Sequence, residues 1–351
     1  MRLFHDLAAT LHVARPTTAI GAPVMAVGIF GAAALQRLPG GPTFLGPLAA
    51  LLAAAWIAAA ATLLRSIWAG GITRHTHPMV ESFAIGTWVA GTAVMARIMM
   101  LAAPDLLGAA AGLFALSVGL WLWFFPLAVR NLLRLVGARQ VRPNGVILLT
   151  TVATQAIALI ALRLFPSLPP IRQVAAALSG IAAICYIVGV ALVIIRLRTA
   201  KGWGIERDWD NTNCIIHGAL SITGLTAIVG DFVPGRTVLW FWVCVAIVFL
   251  AVELIELARL TGRVQGFGWR RALLVYDPSQ WTRNFTFGMF YAFTLAFSQR
   301  FAIETRHPTL NTIRDAVVNH GQYVVLLLLL IELALLLHAR STRADERWQR
   351  S

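Results

Sequence analysis

The feature that most constrains this chain is an apolar run of about 20 residues that recurs along its length, separated by short polar breaks. About 20 apolar residues in a helix cross a hydrocarbon core of roughly 30 Å. The chain has 351 residues, of which 58% are hydrophobic and 13% charged, and a soluble fold of this size could not bury so much apolar surface. The pattern predicts an all-α polytopic membrane protein in which residues 1–351 form one transmembrane domain.

Ten membrane spans are predicted, each bounded by charged residues, Pro or Gly. They cover residues 17–36, 43–64, 79–103, 106–129, 144–164, 172–195, 212–232, 236–257, 282–302 and 320–339. The ninth span has the least regular apolar pattern, because Asn284, Thr286, Gly288 and Thr294 interrupt it. It is assigned from its aromatic residues.

The basic residues predict the orientation of the chain. Loops rich in Lys and Arg stay in the cytoplasm, and most of the 29 Lys and Arg residues fall in the alternate loops that include both termini. We therefore expect a multi-pass protein of a bacterial inner (plasma) membrane with cytoplasmic N- and C-termini. The net charge of +14 then follows largely from topology, so membrane lipid is an expected partner and nucleic acid is not.

The odd-numbered spans contain more Gly, Pro and polar residues than the even-numbered spans. The fifth contains Thr150, Thr151, Thr154 and Gln155, whereas the tenth is smooth, as in LLLLLIELALLLHA at 326–339. Small and hydroxyl side chains allow close helix packing or line a wet cavity, and uniform Leu and Val suit lipid. The alternation predicts five helical hairpins, with inner odd helices around a central pore and outer even helices. For any single residue, packing alone remains the other interpretation.

The third span contains a candidate pore face. Phe83, Gly86, Ala90 and Ala93 follow one another at helical spacing, with Thr87 beside them. This face could lie against another helix or line a narrow pore, and the sequence favours neither.

The seventh span contains a polar stripe. Asn213, His217 and Ser221 are spaced by four residues and therefore share a helix face. His217 could relay protons or contact an anion, or it could be a hydrogen-bonded packing residue.

Arg97 lies in the second half of the third span. An isolated guanidinium inside a bilayer is costly unless it faces water, forms a pair or reaches the interface. Arg97 could contact an anion, or it could pair with a carboxylate such as Asp231, Glu253 or Glu256.

The ninth span is crowded with aromatic residues. Phe285, Phe287 and Phe290 lie around Gly288. Such a stripe is typical of a packed core, yet a Phe beside a Gly on an inner helix can also form a hydrophobic constriction.

Motifs for nucleotides, metals, haem and diphosphate are missing from the sequence. Asp208 and Asp210 flank Trp209, but neighbouring arginines favour a solvated loop over a metal site. No cofactor and no metal are expected, and the chain is not expected to be an enzyme.

Three stretches carry a family resemblance. They are His77-Pro78 followed by Phe83 and the IGT of 85–87, NTNCIIHGALSITGL at 211–225, and Trp281 followed by FTFGM at 285–289. With them the chain resembles the tellurite-resistance/C4-dicarboxylate transporter family of the slow-anion-channel superfamily. The fifth span departs from the family pattern, because Pro143-Asn144 stands where the order Asn-Pro is expected.

The resemblance implies a ring of five helical hairpins around a pore, a homotrimer with one pore per subunit, and a pore gate formed by a Phe of the ninth span. The resemblance assigns that gate to Phe287, which precedes Gly288, with Phe285 and Phe290 as alternatives.

Three functions follow as hypotheses. The first is a Phe-gated channel or gradient-driven transporter for small inorganic or organic anions. The second is a proton-coupled exporter of a dicarboxylate, sulfite or an oxyanion such as tellurite, in which His217 or Glu81 titrates. The third is a membrane-embedded enzyme or sensory module.

Overall fold

The computed structural model describes residues 18–138, 141–199, 204–301 and 307–348. Every regular element within these ranges is helical. The predicted position of the two termini concerns residues 1–17 and 349–351, which lie outside the described residues. The long helices are α1 Thr18–Arg37, α2 Gly41–Gly70, α3 Glu81–Ala102, α4 Pro104–Gly137, α5 Gly145–Leu164, α6 Pro169–Thr199, α7 Asn211–Gly230, α8 Gly235–Phe267, α9 Gln280–Arg300 and α10 Pro308–Trp348.

Across the described ranges, nine of these helices are long and apolar enough to cross a membrane. The remaining helix, α9, has 21 residues but is more polar, because it carries Arg283, Asn284 and three threonines. The chain is therefore an all-α polytopic membrane protein, as predicted from its apolar runs. The count of ten spans stays a prediction, since it depends on α9.

The odd-numbered helices form a closed inner ring. α1 packs against α3, α3 against α5, α5 against α7, α7 against α9, and α9 against α1. The most apolar parts of α1, α3, α5 and α7 are 72–83% buried, whereas those of the even-numbered helices are 11–22% buried. The predicted arrangement of inner odd and outer even helices is confirmed.

Small residues allow the inner helices to approach one another closely. A Cβ added to Gly218 of α7 would lie 2.3 Å from Cγ2 of Thr286 on α9, and one added to Gly288 would lie 2.7 Å from Cγ2 of Ile29 on α1. On the outer helix α6, a Cβ added to Gly180 meets no atom within 4 Å. Glycine is therefore a packing requirement in the ring, as expected for closely apposed membrane helices.

Three outer helices are fastened to the next inner helix by the same hydrogen bond, in which a Trp indole donates to a Thr hydroxyl. The pairs, each at 3.0 Å, are Trp56 with Thr92, Trp121 with Thr154, and Trp242 with Thr294. A buried indole N–H needs an acceptor, and these threonines supply one inside the bilayer.

The outer helices are longer than their predicted spans. α8 covers residues 235–267 instead of 236–257, and α10 begins at 308 instead of 320. Hydropathy detects only the part of a helix that matches the hydrocarbon core. Near its end, α8 continues past residue 257 through Arg259, whose charge follows the predicted span.

Candidate functional site

A cavity of about 380 Å³ lies on the axis of the inner ring, and all five inner helices line it. Each contributes its C-terminal half, so the five helices run in the same direction. We call the end of the bundle at which the inner helices end the C-end, and the opposite end the N-end. The cavity opens towards the C-end.

The cavity stops near the middle of the inner ring. On each inner helix one lining residue lies closest to the N-end, and each is apolar: Ile29, Ala93, Ala156, Ile222 and Met289. These residues form its floor. Among the described residues, no lining residue lies between this floor and the N-end.

The walls of the cavity are basic. Arg37, Arg97 and Arg163 line it, together with Gln36 and Gln299. Among the described lining residues, none is acidic. The cavity therefore has an unbalanced positive field, which attracts anions.

Arg97 is the most informative of these arginines. Arg37 and Arg163 lie in the last turn of their helices, where a cation also stabilises the helix C-terminus. Arg97 lies more than one turn before the end of α3 and is half-buried. The helix dipole alone therefore does not explain its position.

The alternative pairing of Arg97 with a carboxylate does not occur. Asp231 pairs with Arg300 at 2.8 Å, and Glu253 and Glu256 both pair with Arg283. Within the described ranges, Arg97 has no ion pair. The predicted pairing is therefore not formed, and Arg97 lines the cavity instead.

The three candidate gate residues of α9 lie on two sides of the helix. Phe285 is 1% exposed and lies one turn from Met289, on the helix face that lines the cavity. Phe287 faces α8, where its ring centroid lies 4.9 Å from that of Phe249, and Phe290 stacks on the same Phe249 at 4.6 Å. Only Phe285 continues the axial face towards the N-end.

The third-helix candidates divide between packing and the axis. Phe83 is fully buried in the first turn of α3, on the face that continues through Ala93 to Arg97. A Cβ on Gly86 would lie 3.0 Å from Cβ of Leu149 on α5, so Gly86 serves helix packing.

Thr87 ties α3 to α1. Its hydroxyl donates to the carbonyl oxygens of Ala84 at 2.8 Å and Thr18 at 3.3 Å. Glu81, the alternative titrating residue, is exposed at the start of α3.

The three polar residues of α7 do not form one continuous stripe. Oδ1 of Asn213 accepts from the backbone N–H of Gly145 on α5 at 2.8 Å, and the Ser221 hydroxyl donates to the carbonyl oxygen of His217 at 2.8 Å. The His217 ring turns instead towards α8, where Nε2 lies 3.6 Å from Oε1 of Glu253. Each side chain therefore serves a different contact.

His217 belongs to a group that we call the charge cluster: His217 on α7, Glu253, Glu256 and Arg259 on α8, and Arg283 on α9. Arg283 lies 3.4 Å from Glu253 and 2.7 Å from Glu256. Arg259 lies 3.5 Å from Glu256, and Oε1 of Glu256 also accepts from the Trp209 indole at 2.9 Å. The cluster joins one outer helix to two inner helices near the N-end.

Sequence reasoning missed two parts of this arrangement. Gln36, Arg37, Arg163 and Gln299 are not among the predicted site residues, although their position near the ends of the predicted inner spans is a signal that could have placed them around the axis. Glu253 was considered only as a partner of Arg97. The spacing of Glu253, Glu256 and Arg259 on one face of α8 was the available signal.

The ring, the apolar outer surface and the basic axial cavity together define an all-α polytopic membrane protein with an internal polar chamber. No group of three or more His, Cys, Asp and Glu residues that could hold a metal ion occurs among the described residues. No known family model matches the chain, and no curated protein matches it.

Proposed function

We propose that this protein moves small anions across a membrane through the axis of its inner ring, as a channel or a gradient-driven transporter. The observation that carries the proposal is the axial cavity, which three arginines line and which has no acidic residue among its described lining residues. Cavities lined by Arg or Lys are typical of anion pores. The cavity volume of about 380 Å³ suits small anions, from chloride and nitrate to sulfite and C4-dicarboxylates.

The direction of the inner helices supports the same proposal. A helix carries a partial positive charge at its N-terminus, and all five inner helices begin at the N-end. Anions are therefore attracted to the N-end by helix dipoles and to the C-end by arginines. An anion path with a favourable potential at both ends results.

The apolar middle of the ring closes this path in the present conformation. Below the cavity floor, the axial face of α9 continues to Phe285, and that of α3 continues to Phe83. Apolar constrictions of this kind block ions because water leaves them, and they open after a modest side-chain movement. We therefore propose Phe285, in place of Phe287, as the gate residue.

The surroundings of the protein belong to the same proposal. We propose a cytoplasmic N-end in the inner membrane of a bacterium, which the basic loops support through the positive-inside rule. The resemblance to the tellurite-resistance/C4-dicarboxylate transporter family, which rests on the three quoted stretches, agrees with an anion path inside a homotrimer.

Arg97→Gln is the direct test of the cavity. In proteoliposomes with an imposed voltage, the fluxes of chloride, nitrate, sulfite, malate and succinate are compared with those of the unaltered protein. We expect a flux loss on the order of tenfold for the transported anion, equivalent to about 1.4 kcal/mol of lost stabilisation.

Arg236→Gln is the matched control, because Arg236 is exposed at the C-end and is not among the residues that line the cavity. It should leave the flux unchanged. Equal fluxes in Arg97→Gln and the unaltered protein, or the absence of flux for every anion in the unaltered protein, would contradict the proposal.

A further inference from the structure

His217 is a fully buried imidazole whose nearest polar neighbour is a carboxylate. Its side chain is 0% exposed, and neither Nδ1 nor Nε2 has a hydrogen-bond partner among the described residues. The nearest acidic atom is Oε1 of Glu253, 3.6 Å from Nε2, and this oxygen also has no hydrogen-bond partner among them. A buried imidazole facing an unsatisfied carboxylate oxygen is costly unless the pair shares a proton.

The surroundings of this pair come from three helices. Cys214 lies one turn before His217 on α7, and α8 contributes Glu253, Glu256 and Arg259. Arg283 approaches from α9, and Phe249 and Phe287 cover the imidazole, with ring centroids at 4.7 Å and 6.3 Å.

The fixed charges of this cluster cancel, since two arginines face two carboxylates. A neutral His217 leaves the cluster neutral. A proton on His217 therefore becomes the only uncompensated charge in the cluster, and it would lie beside Glu253.

We propose that His217 and Glu253 form a proton-binding site outside the pore axis, and that the bound proton controls the position of α9. This inference rests on the proposed anion path, whose gate it would regulate. The proton comes from water at the N-end, adds to a ring nitrogen of His217 and returns the same way. In this proposal the proton reaches His217 past Glu253, whose side chain is 20% exposed.

The link to the gate runs through Arg283. Arg283 lies in the first turn of α9, two residues before Phe285, and its two contacts with Glu253 and Glu256 hold α9 against α8. His217 faces Oε1 of Glu253 and Arg283 faces Oε2, so a proton on His217 adds a second cation at one carboxylate. Repulsion between the two cations then loosens the hold of Arg283. Phe285 can then leave the axis, so anion flux should rise as the pH at the N-end falls.

The first test reads the proton itself and does not depend on transport. In protein labelled with ¹⁵N-histidine and held in lipid, the imidazole nitrogen signals of the eight histidines are recorded between about pH 5 and pH 8, the interval in which His changes charge. The signal that is absent from His217→Gln belongs to His217. This signal should titrate in the unaltered protein, and its titration should change in Glu253→Gln. A His217 signal that stays neutral throughout this interval would overturn the proposal.

The second test measures flux in proteoliposomes while the pH at the N-end is varied. We expect a several-fold rise in flux towards low pH that is lost in His217→Gln and in Glu253→Gln. The matched control is His320→Gln, which changes an exposed His of α10 and should keep the rise. An equal pH response in His217→Gln and the unaltered protein would overturn the regulatory role. If the unaltered protein carried no anion, the proposed function would fail, and the histidine spectra would still decide whether the proton site exists.

Discussion

The inner and outer helices differ in length as well as in burial. Inner helices have 20–22 residues and outer helices have 30–41, or about 30–33 Å against about 45–62 Å at the helical rise per residue. An inner helix therefore matches the hydrocarbon core, whereas an outer helix must tilt or extend beyond it. Burial follows the same division, because lipid faces the outer helices and protein faces the inner ones.

The comparison teaches that polar residues with specific contacts occur in both layers, although the inner layer is the more buried one. The inner ring holds closely packed glycines such as Gly218 and Gly288 and the three cavity arginines, which need protein contacts. The outer helix α8 nevertheless supplies Glu253 and Glu256 to the charge cluster. The outer layer is therefore more than a lipid-facing shell, since one of its helices holds an inner helix by ion pairs.

The largest expected effect comes from a methyl group added between two inner helices, with the same change in an outer helix as its control. Gly218→Ala places a Cβ against Thr286, whose own Cβ lies 2.8 Å away, so the backbones of α7 and α9 must separate. We expect a loss of about 1–3 kcal/mol in stability, as for overpacking in a protein core. Thermal unfolding in detergent measures it.

Gly180→Ala is the control in the outer layer, where a Cβ meets open space. It should not lower the unfolding midpoint, since alanine also favours the helix more than glycine does. Equal shifts in the two variants would show that the two layers are packed alike, which contradicts the distinction between them.

A second prediction separates the two faces of α9. Phe285→Ala should raise anion flux on the order of tenfold, because it removes the buried ring on the axial face and lowers the barrier by about 1.4 kcal/mol. Phe287→Ala removes a ring packed on Phe249 of the outer helix α8 and should change flux much less. Flux in proteoliposomes at matched protein density measures both variants, and a larger rise for Phe287→Ala would restore it as the gate.

The fold was largely predictable because the bilayer imposes simple rules on sequence. Apolar runs locate the helices, and the contrast between Thr150–Gln155 of α5 and the Leu-rich run of α10 distinguishes inner from outer helices. The helix ends were less predictable. Arg259 on α8 ends an apolar run, yet ion pairs allow the helix to continue.

The site was harder to predict, because hydropathy does not reveal which face of a helix points to the axis. Phe285 and Phe287 are two residues apart and lie on nearly opposite sides of α9. Arg97 was recognised because a charge inside a span is rare. Arg37 and Arg163 were not, since arginines at span ends are ordinary. The partnership of His217 with Glu253 joins residues on different helices, so it depends on tertiary packing.

The accessibility of the cavity to charged thiol reagents tests the central claim most directly, because it needs no knowledge of the substrate. The half-buried cavity residue Ala296 is changed to Cys in a background that has alanine at Cys185, Cys214 and Cys244. Ser167→Cys, exposed in the loop at the C-end, gives the intrinsic reactivity of each reagent.

The quantity compared is the rate with an anionic methanethiosulfonate divided by the rate with a cationic one. We expect this ratio to be about tenfold higher at Ala296→Cys than at Ser167→Cys, because the arginines create a positive potential of several kT. Faster reaction with the cationic reagent, or no reaction at Ala296→Cys while Ser167→Cys reacts, would contradict a basic, water-filled cavity on the axis of the inner ring.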